Sequence, residues 1–322
     1  MKEYGGYIEL DEFYGTEYYE NCLSFNSGRS CLGYLIEKRD IKKLYLPYFL
    51  CDTVKETCER YKIKYEYYYI KSNFEPNFSK KIGENEYLYV VNFYGQLSFE
   101  YINYLNSIYK NLILDNAQDF FRTPIDGMDT IYICRKYFGV ADGAYLFSKD
   151  NFEQDYPIDT SYDRMNFLLG RFEKDAASFY SEYLKNNNYF ASGPIMRTSK
   201  LSRNILRAIN YERIKKIRTD NFMFLYSEFW NQNQLLLNPT EGAFAYPLLV
   251  DNGDVIRKKL IANKIYIPTL WPEVFKKCGK KTLEYRYAKD ILPIPVDQRY
   301  NIEDMKFLSN EIKRLVNKAV LL

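Results

Sequence analysis

The sequence contains no histidine. That absence removes the Ser-His-Asp and Cys-His catalytic arrangements, histidine-held metals, and the one side chain that titrates near neutrality without help. Acid–base chemistry must run on lysine, carboxylate, tyrosine or cysteine groups, or on a bound cofactor. Cysteine is sparse and scattered, at 22, 31, 51, 58, 134 and 278, with no CxxC pair. This argues for reduced thiols and against a disulfide frame or a zinc site. No apolar run approaches the roughly 18 residues of a membrane span. The polar, acidic start MKEYGGYIELDEFYG lacks the apolar centre of a secretory signal. The expectation is a cytoplasmic protein with no membrane partner. Neither GxGxxG nor GxxxxGK[ST] occurs, so dinucleotide and P-loop folds lose their main marker. An excess of one charge is missing as well: 45 Lys and Arg against 42 Asp and Glu leave a net +3, too little to argue for nucleic acid.

What is present is apolar enough for a large core. Of the 322 residues, 47% are hydrophobic, a length suited to one large domain or two unequal ones. The 34 tyrosines are spread along the whole chain and read as a habit of composition. Apolar strand-like runs alternate with amphipathic ones: helix 27–39, strand 43–48, helix 51–61, strands 63–70 and 86–95, helix 98–109, strand 111–115, then DTIYIC and AYLF. The alternation predicts an α/β fold, a mostly parallel central sheet flanked by helices. Met165, Leu168, Leu169, Phe172, Ala176, Phe179, Tyr180 and Tyr183 fall on one helical face, within a helical insertion expected at about 160–190. Leu201, Ile205, Ile209 and Ile217 mark another helix, expected to run on to about Trp230. A smaller α+β part follows NPTEG (238–242) and closes on a helix striped by Leu308, Ile312, Leu315 and Ala319. The expected division is a large domain over 1–220 and a small carboxyl-terminal α+β domain over 221–322.

Three stretches carry residues suited to chemistry. In FNSGRSCL (25–32), Gly28 permits a tight turn into a helix, whose free N–H groups suit an anion such as a phosphate. Ser27 and Ser30 add hydroxyls; the alternative is a plain helix cap by Asn26 or Ser27. In LILDNAQDF (112–120), Asp115 sits where an apolar strand ends, the place where open α/β sheets bind ligands. It suits a protonated ring nitrogen, with Gln118 offering an amide nearby; the alternative is an N-cap. In CRKYFGVADGAYLF (134–147), Lys136 lies beside Arg135 between two apolar runs, where desolvation and a neighbouring cation would favour the neutral amine. A neutral lysine is a nucleophile; the alternative is a side chain that snorkels to water. Asp142-Gly143 reads as the turn into the next strand. An anion site, a carboxylate and a loop lysine are together the contacts that pyridoxal 5′-phosphate needs.

With these in place the chain resembles the DegT/DnrJ/EryC1/StrS family of sugar aminotransferases. NSGRSCL resembles its phosphate loop, LYLPYFLCDTV its proline-led strand end, VVNFYGQ its VHLYG segment and LDNAQDF its EDAAQ segment. RKYFGVADGAYL resembles its lysine segment, MRTSKLSRNILRAIN its RMSEL-type helix and DILPIPVDQRYNIEDM its carboxyl-terminal segment. The resemblance spans most of the chain in order. It implies the fold-type I pyridoxal-phosphate architecture, active sites shared in a homodimer, and transfer of an amino group, from glutamate, to a nucleotide-linked keto-sugar for glycan assembly. By position, Lys136 would hold the cofactor aldehyde and act as the acid–base. Asp115 would face the ring nitrogen, Gln118 the ring hydroxyl, and Ser27, Gly28, Arg29 and Ser30 the phosphate. The sequence departs from the family at four places. Cys51 stands where an aromatic stacks on the cofactor ring, and Asn92 replaces the histidine of VHLYG. Ile133 or Cys134 stands where a serine contacts the phosphate. Ile195, beside Pro194, stands where the partner's asparagine is expected.

Overall fold

A computed structural model describes residues 4–148, 150 and 155–320. Its centre is an eight-stranded sheet of β1 (Leu23–Phe25), β2 (Lys43–Pro47), β3 (Lys64–Ile70), β4 (Pro76–Asn77), β5 (Glu86–Val91), β6 (Leu112–Asp115), β7 (Asp129–Ile133) and β8 (Ala144–Phe147), in the order β1-β8-β7-β6-β5-β2-β3-β4. The run from β3 through β2, β5 and β6 to β7 is parallel. β8, β1 and β4 join by antiparallel pairings. Within that run β2, β5 and β6 are almost wholly buried, as strands covered on both faces must be. Their apolar runs are therefore continuous, which made them legible.

Helices α1 (Gly28–Lys38), α2 (Asp52–Arg60) and α3 (Phe99–Ile108) follow β1, β2 and β5. Ser27 caps α1 and Ser98 caps α3, each accepting the N–H three residues on, which satisfies an otherwise orphaned donor. β5 stops at Val91, short of the expected 95. Tyr94 (φ 54°) and Gly95 (φ 72°) bend the chain there, and the Leu97 N–H bonds the Asn92 side chain at 3.0 Å.

The middle departs from expectation. The single apolar face over 165–183 is broken into α4 (Asn166–Glu173) and α5 (Tyr180–Ser192). Between them the Asp175 carboxylate accepts the N–H groups of Ala177 and Ser178, a local turn that competes with the helix. The stripe faces solvent: Leu169 is 58% and Phe172 92% exposed. The long helix expected from 201 to 230 is likewise two, α6 (Lys200–Arg207) and α7 (Tyr211–Glu228). Asn210 caps the second by accepting the Arg213 N–H at 3.0 Å.

The remainder pairs β9 (Ala245–Leu249) with β10 (Ile291–Pro295) and adds α8 (Gly253–Ala262), α9 (Val274–Lys277), α10 (Leu283–Asp290) and α11 (Ile302–Val320). Leu308, Ile312 and Leu315 of α11 are buried; the Ala319 side chain lies outside the described residues. Residue 220 falls within α7. One core cluster runs from Leu44 and Phe49 to Trp271 and Ile312.

Glu284 joins α10 to the central sheet, accepting the Ile70 N–H at 2.8 Å. Burial raises its carboxyl pKa, so its ionised form opposes folding above the folded pKa, and that cost fades as pH falls. Glu284→Gln keeps the acceptor and removes the charge. The variant is expected to melt higher than wild type at pH 8, with the gain shrinking towards pH 4. A gain independent of pH would contradict the assignment.

Candidate active site

β7 and β8 are antiparallel, as are β8 and β1, so β1 runs with the parallel strands. The carboxyl ends of β1, β2, β5, β6 and β7 therefore share one edge of the sheet. That edge receives Ser27–Ser30 after β1, Cys51 after β2, Asp115 at the end of β6 and Cys134–Lys136 after β7. It is where ligands bind in open α/β sheets.

The start of α1 is pressed onto the end of β7. A Cβ on Gly28 would lie 2.6 Å from Ile133 Cδ1, so a side chain there would have to push the end of Ile133 aside. Asn26 accepts the Ser27 and Ser30 hydroxyls on its Oδ1, at 3.1 and 2.7 Å, and donates to Asp159 at 2.9 Å. The two serine hydroxyls are thus turned inward, and Ser27 is the helix cap. The Ser30 N–H is taken by Ser27 Oγ. The N–H groups of Gly28 and Arg29 have no partner within the helix.

Asp115 is buried at the strand end. Its Oδ2 accepts the Tyr89 hydroxyl and its Oδ1 the Ala117 N–H, both at 2.8 Å. The carboxylate is thereby oriented, and each oxygen keeps a lone pair for a further donor. Burial, and then the Asp115 charge, push the Tyr89 phenol well up, so it remains a donor. Gln118 Oε1 accepts the Tyr94 N–H at 2.8 Å; its amide nitrogen has no acceptor among the described residues. Asn92 is fully buried, donating to Asn116 and Asp119, and so binds loop to loop.

Three expectations for the 134–143 loop need correction. Lys136 is exposed, its Nζ 5.7 Å from the centre of the Phe244 ring. The loop buries Cys134 and Tyr137 on either side and turns the lysine out to solvent, against the expected burial between strands. Cys134 follows β7 at that edge, but its side chain is fully buried among Tyr137, Phe138 and Tyr145, and burial pushes its thiol well up; the thiol is not presented to the site. Asp142 does more than turn the chain: it is fully buried and accepts the Ser199 N–H and hydroxyl, both at 2.7 Å, and the Ser202 hydroxyl. Cys51 is half-buried at the start of α2, its Sγ 2.9 Å from Thr53 Oγ1, and brings no ring.

Tyr89, Asp159 and Arg164 were missed in the sequence. Asp159 gathers Asn26, Arg164 at 2.8 Å and Tyr189 at 2.9 Å. Only Tyr89 left a sequence signal: it shares a strand face with Val91, the register partner of Asp115.

The donor set fits pyridoxal phosphate. Two free N–H groups, an arginine whose buried Nε has no partner, an oriented carboxylate and an accessible amine are what its phosphate, ring nitrogen and aldehyde require. Among the described residues no cluster of His, Cys, Asp or Glu suits a metal ion, and no helix is long and apolar enough to cross a membrane.

No protein-family model matches the sequence, and no curated protein matches it. Solved structures do match its fold. A DegT DnrJ EryC1 StrS aminotransferase from Brucella abortus aligns over 92% of this chain and 86% of its own, with a TM-score of 0.61 and 11% identity. The putative sugar aminotransferase Spr1654 from Streptococcus pneumoniae, in its PLP form, aligns over 92% and 87%, with a TM-score of 0.65 and 11% identity. The E. coli GDP-4-keto-6-deoxy-D-mannose-3-dehydratase, with hydrated PLP, aligns over 91% and 87%, with a TM-score of 0.62 and 12% identity. The chain has the fold of these proteins, two of which were solved with PLP.

Proposed function

We propose that this chain is a divergent member of the DegT/DnrJ/EryC1/StrS family. In this reading it is a pyridoxal-phosphate aminotransferase that moves an amino group, from glutamate, onto a nucleotide-linked keto-sugar for glycan or surface polysaccharide assembly. The observation that carries the reading is the convergence of the first turn of α1, Asp115 and Lys136 on one sheet edge of this fold.

The cofactor, when bound, supplies an electron sink for the substrate's carbon. Asp115, held by Tyr89 and the Ala117 N–H, would accept from the ring nitrogen and favour its protonated form. Gln118 would offer its amide N–H to the ring oxygen. Lys136 Nζ would be the amine that holds the aldehyde and the group that carries a proton at the reacting carbon. In the related dehydratases a histidine takes the place of this lysine. A lysine in a chain with no histidine favours transamination over dehydration.

A cytoplasmic homodimer is part of the proposal, and the exposed Leu169 and Phe172 provide apolar surface for a second copy. The test is direct. The protein is purified with pyridoxal phosphate, its visible absorbance recorded, the complex reduced with borohydride and the modified peptide mapped. The adduct is expected on Lys136, and glutamate is expected to convert the cofactor to its amine form. No adduct on Lys136 sinks the proposal. An adduct that glutamate leaves unchanged replaces it with a binding protein or a different reaction.

A further inference from the structure

Two guanidinium groups near the start of α1 have no carboxylate partner. Arg29 is the second residue of α1, and its side chain makes no hydrogen bond or ion pair among the described residues; its Nε is buried and unpartnered. It lines a shallow cleft together with Asn26, Ser27, Tyr189 and Phe190. Arg135 lies over the ring of the same Phe190, 4.5 Å from its centre. Its side-chain hydrogen bond goes to a neutral amide, Asn187 Oδ1, at 3.0 Å. The 134–143 loop is stitched to this spot, because the Gly143 N–H bonds the Asn26 carbonyl at 2.9 Å and Ile133 abuts Gly28.

The exposed Glu56 acts on Arg29 through its charge without forming an ion pair, and the buried carboxylates nearby are committed elsewhere. Asp142 serves Ser199 and Ser202; Asp159 serves Asn26, Arg164 and Tyr189. Two partly desolvated cations without a counter-ion destabilise each other, and an anion between them removes that cost. The free N–H groups of Gly28 and Arg29 add to the same field. With the serine hydroxyls spent on Asn26, guanidinium charge is the main attraction left to an anion here.

We propose that Arg29 and Arg135 together clamp the phosphate of the pyridoxal cofactor, so that this chain holds the dianion by paired guanidinium contacts in place of hydroxyl and amide donors. Burial pulls Arg135 down to about 10, with Arg29 adding to the shift, and burial pulls Arg29 down as well. A bound dianion would reverse both effects. The inference rests on the proposed cofactor. It adds Arg135, which the family's phosphate contacts do not account for.

The test compares pyridoxal 5′-phosphate with pyridoxal, which has the same ring and aldehyde and no phosphate. Affinities are measured by absorbance titration on wild type, Arg29→Gln, Arg135→Gln and Arg135→Lys, with circular dichroism confirming the fold of each. Each glutamine variant is expected to weaken the phosphorylated ligand by about tenfold to a hundredfold, the range for a lost charge-assisted contact. Pyridoxal should change less than about threefold, the phosphate-specific loss should shrink in high salt, and Arg135→Lys should recover part of it. Equal loss for both ligands, or none for the phosphorylated one, overturns the clamp. A loss seen only for glutamate or a nucleotide diphosphate also overturns it, assigning the pair to a substrate anion. If wild type captures neither aldehyde on Lys136, the proposed function fails first, and the two failures are distinguishable.

Discussion

Lys136→Ala is expected to abolish the borohydride-stable adduct and the visible absorbance of the lysine-linked cofactor. Amino transfer should fall by about 10²–10⁴-fold from the lost acid–base group alone, and further from the lost covalent capture. The experiment is clean because Lys136 is exposed and its recorded contact is the Phe244 ring, 5.7 Å away. Exposed residues of this kind contribute little to stability, so the variant should unfold at the wild-type denaturant midpoint. It should also keep non-covalent affinity for the cofactor, since Asp115, Gln118 and the first turn of α1 are untouched. Lys136→Arg separates charge from chemistry: it keeps a cation on the same loop but has no amine to take the aldehyde, and it should be as inactive as the alanine variant. Undiminished conversion of the cofactor by glutamate in either variant would show that another lysine does this work.

The loop that carries Lys136 shows how far the sequence could be read. Its place was legible, because two short apolar runs bracket it and Asp115 ends the strand beside it. Its solvation was not. A one-dimensional reading puts the whole loop between buried strands, whereas the turn buries Cys134 and Tyr137 and expels the lysine between them. The central strands were legible for a related reason: burial on both faces leaves unbroken apolar runs that only Gly, Asn or a charge interrupts. The helices over 165–230 were misread because apolar periodicity says nothing about local caps. Asp175 accepts two N–H groups in the turn between α4 and α5, and Asn210 caps the start of α7, while the expected stripe at Leu169 and Phe172 is exposed. The pairing of Arg29 with Arg135 was beyond reach. It depends on Gly28 settling against Ile133 and on Phe190 returning from α5, contacts between segments far apart in the chain.

Asp142→Ala is expected to destabilise the protein by about 3 kcal/mol, and more if the site stays dry. The side chain is fully buried, and its two oxygens accept the Ser199 N–H, the Ser199 hydroxyl and the Ser202 hydroxyl. Alanine removes all three acceptor contacts at once. Each buried donor left without a partner costs about 1–3 kcal/mol, and the hydroxyls recover part by rotating: Ser199 Oγ already lies 2.7 Å from Ser161 Oγ. The Ser199 N–H cannot rotate, so its loss is the firmest part of the prediction. Against a total stability of about 5–15 kcal/mol, the shift should be plain in a urea midpoint. Asp142→Asn keeps a carbonyl oxygen for the Ser199 N–H and presents an N–H₂ group that the hydroxyls can accept from, so its loss should be well under half that of alanine. The consequence reaches the site, because Asp142 fastens the 134–143 loop to the start of α6 while Gly143 fastens it to Asn26. In Asp142→Ala the folded fraction should therefore capture pyridoxal phosphate more slowly than wild type, with the adduct still on Lys136. A variant as stable as wild type would mean that water replaces the carboxylate at this position, and that the loop is held in place by Gly143 and the β7–β8 pairing alone.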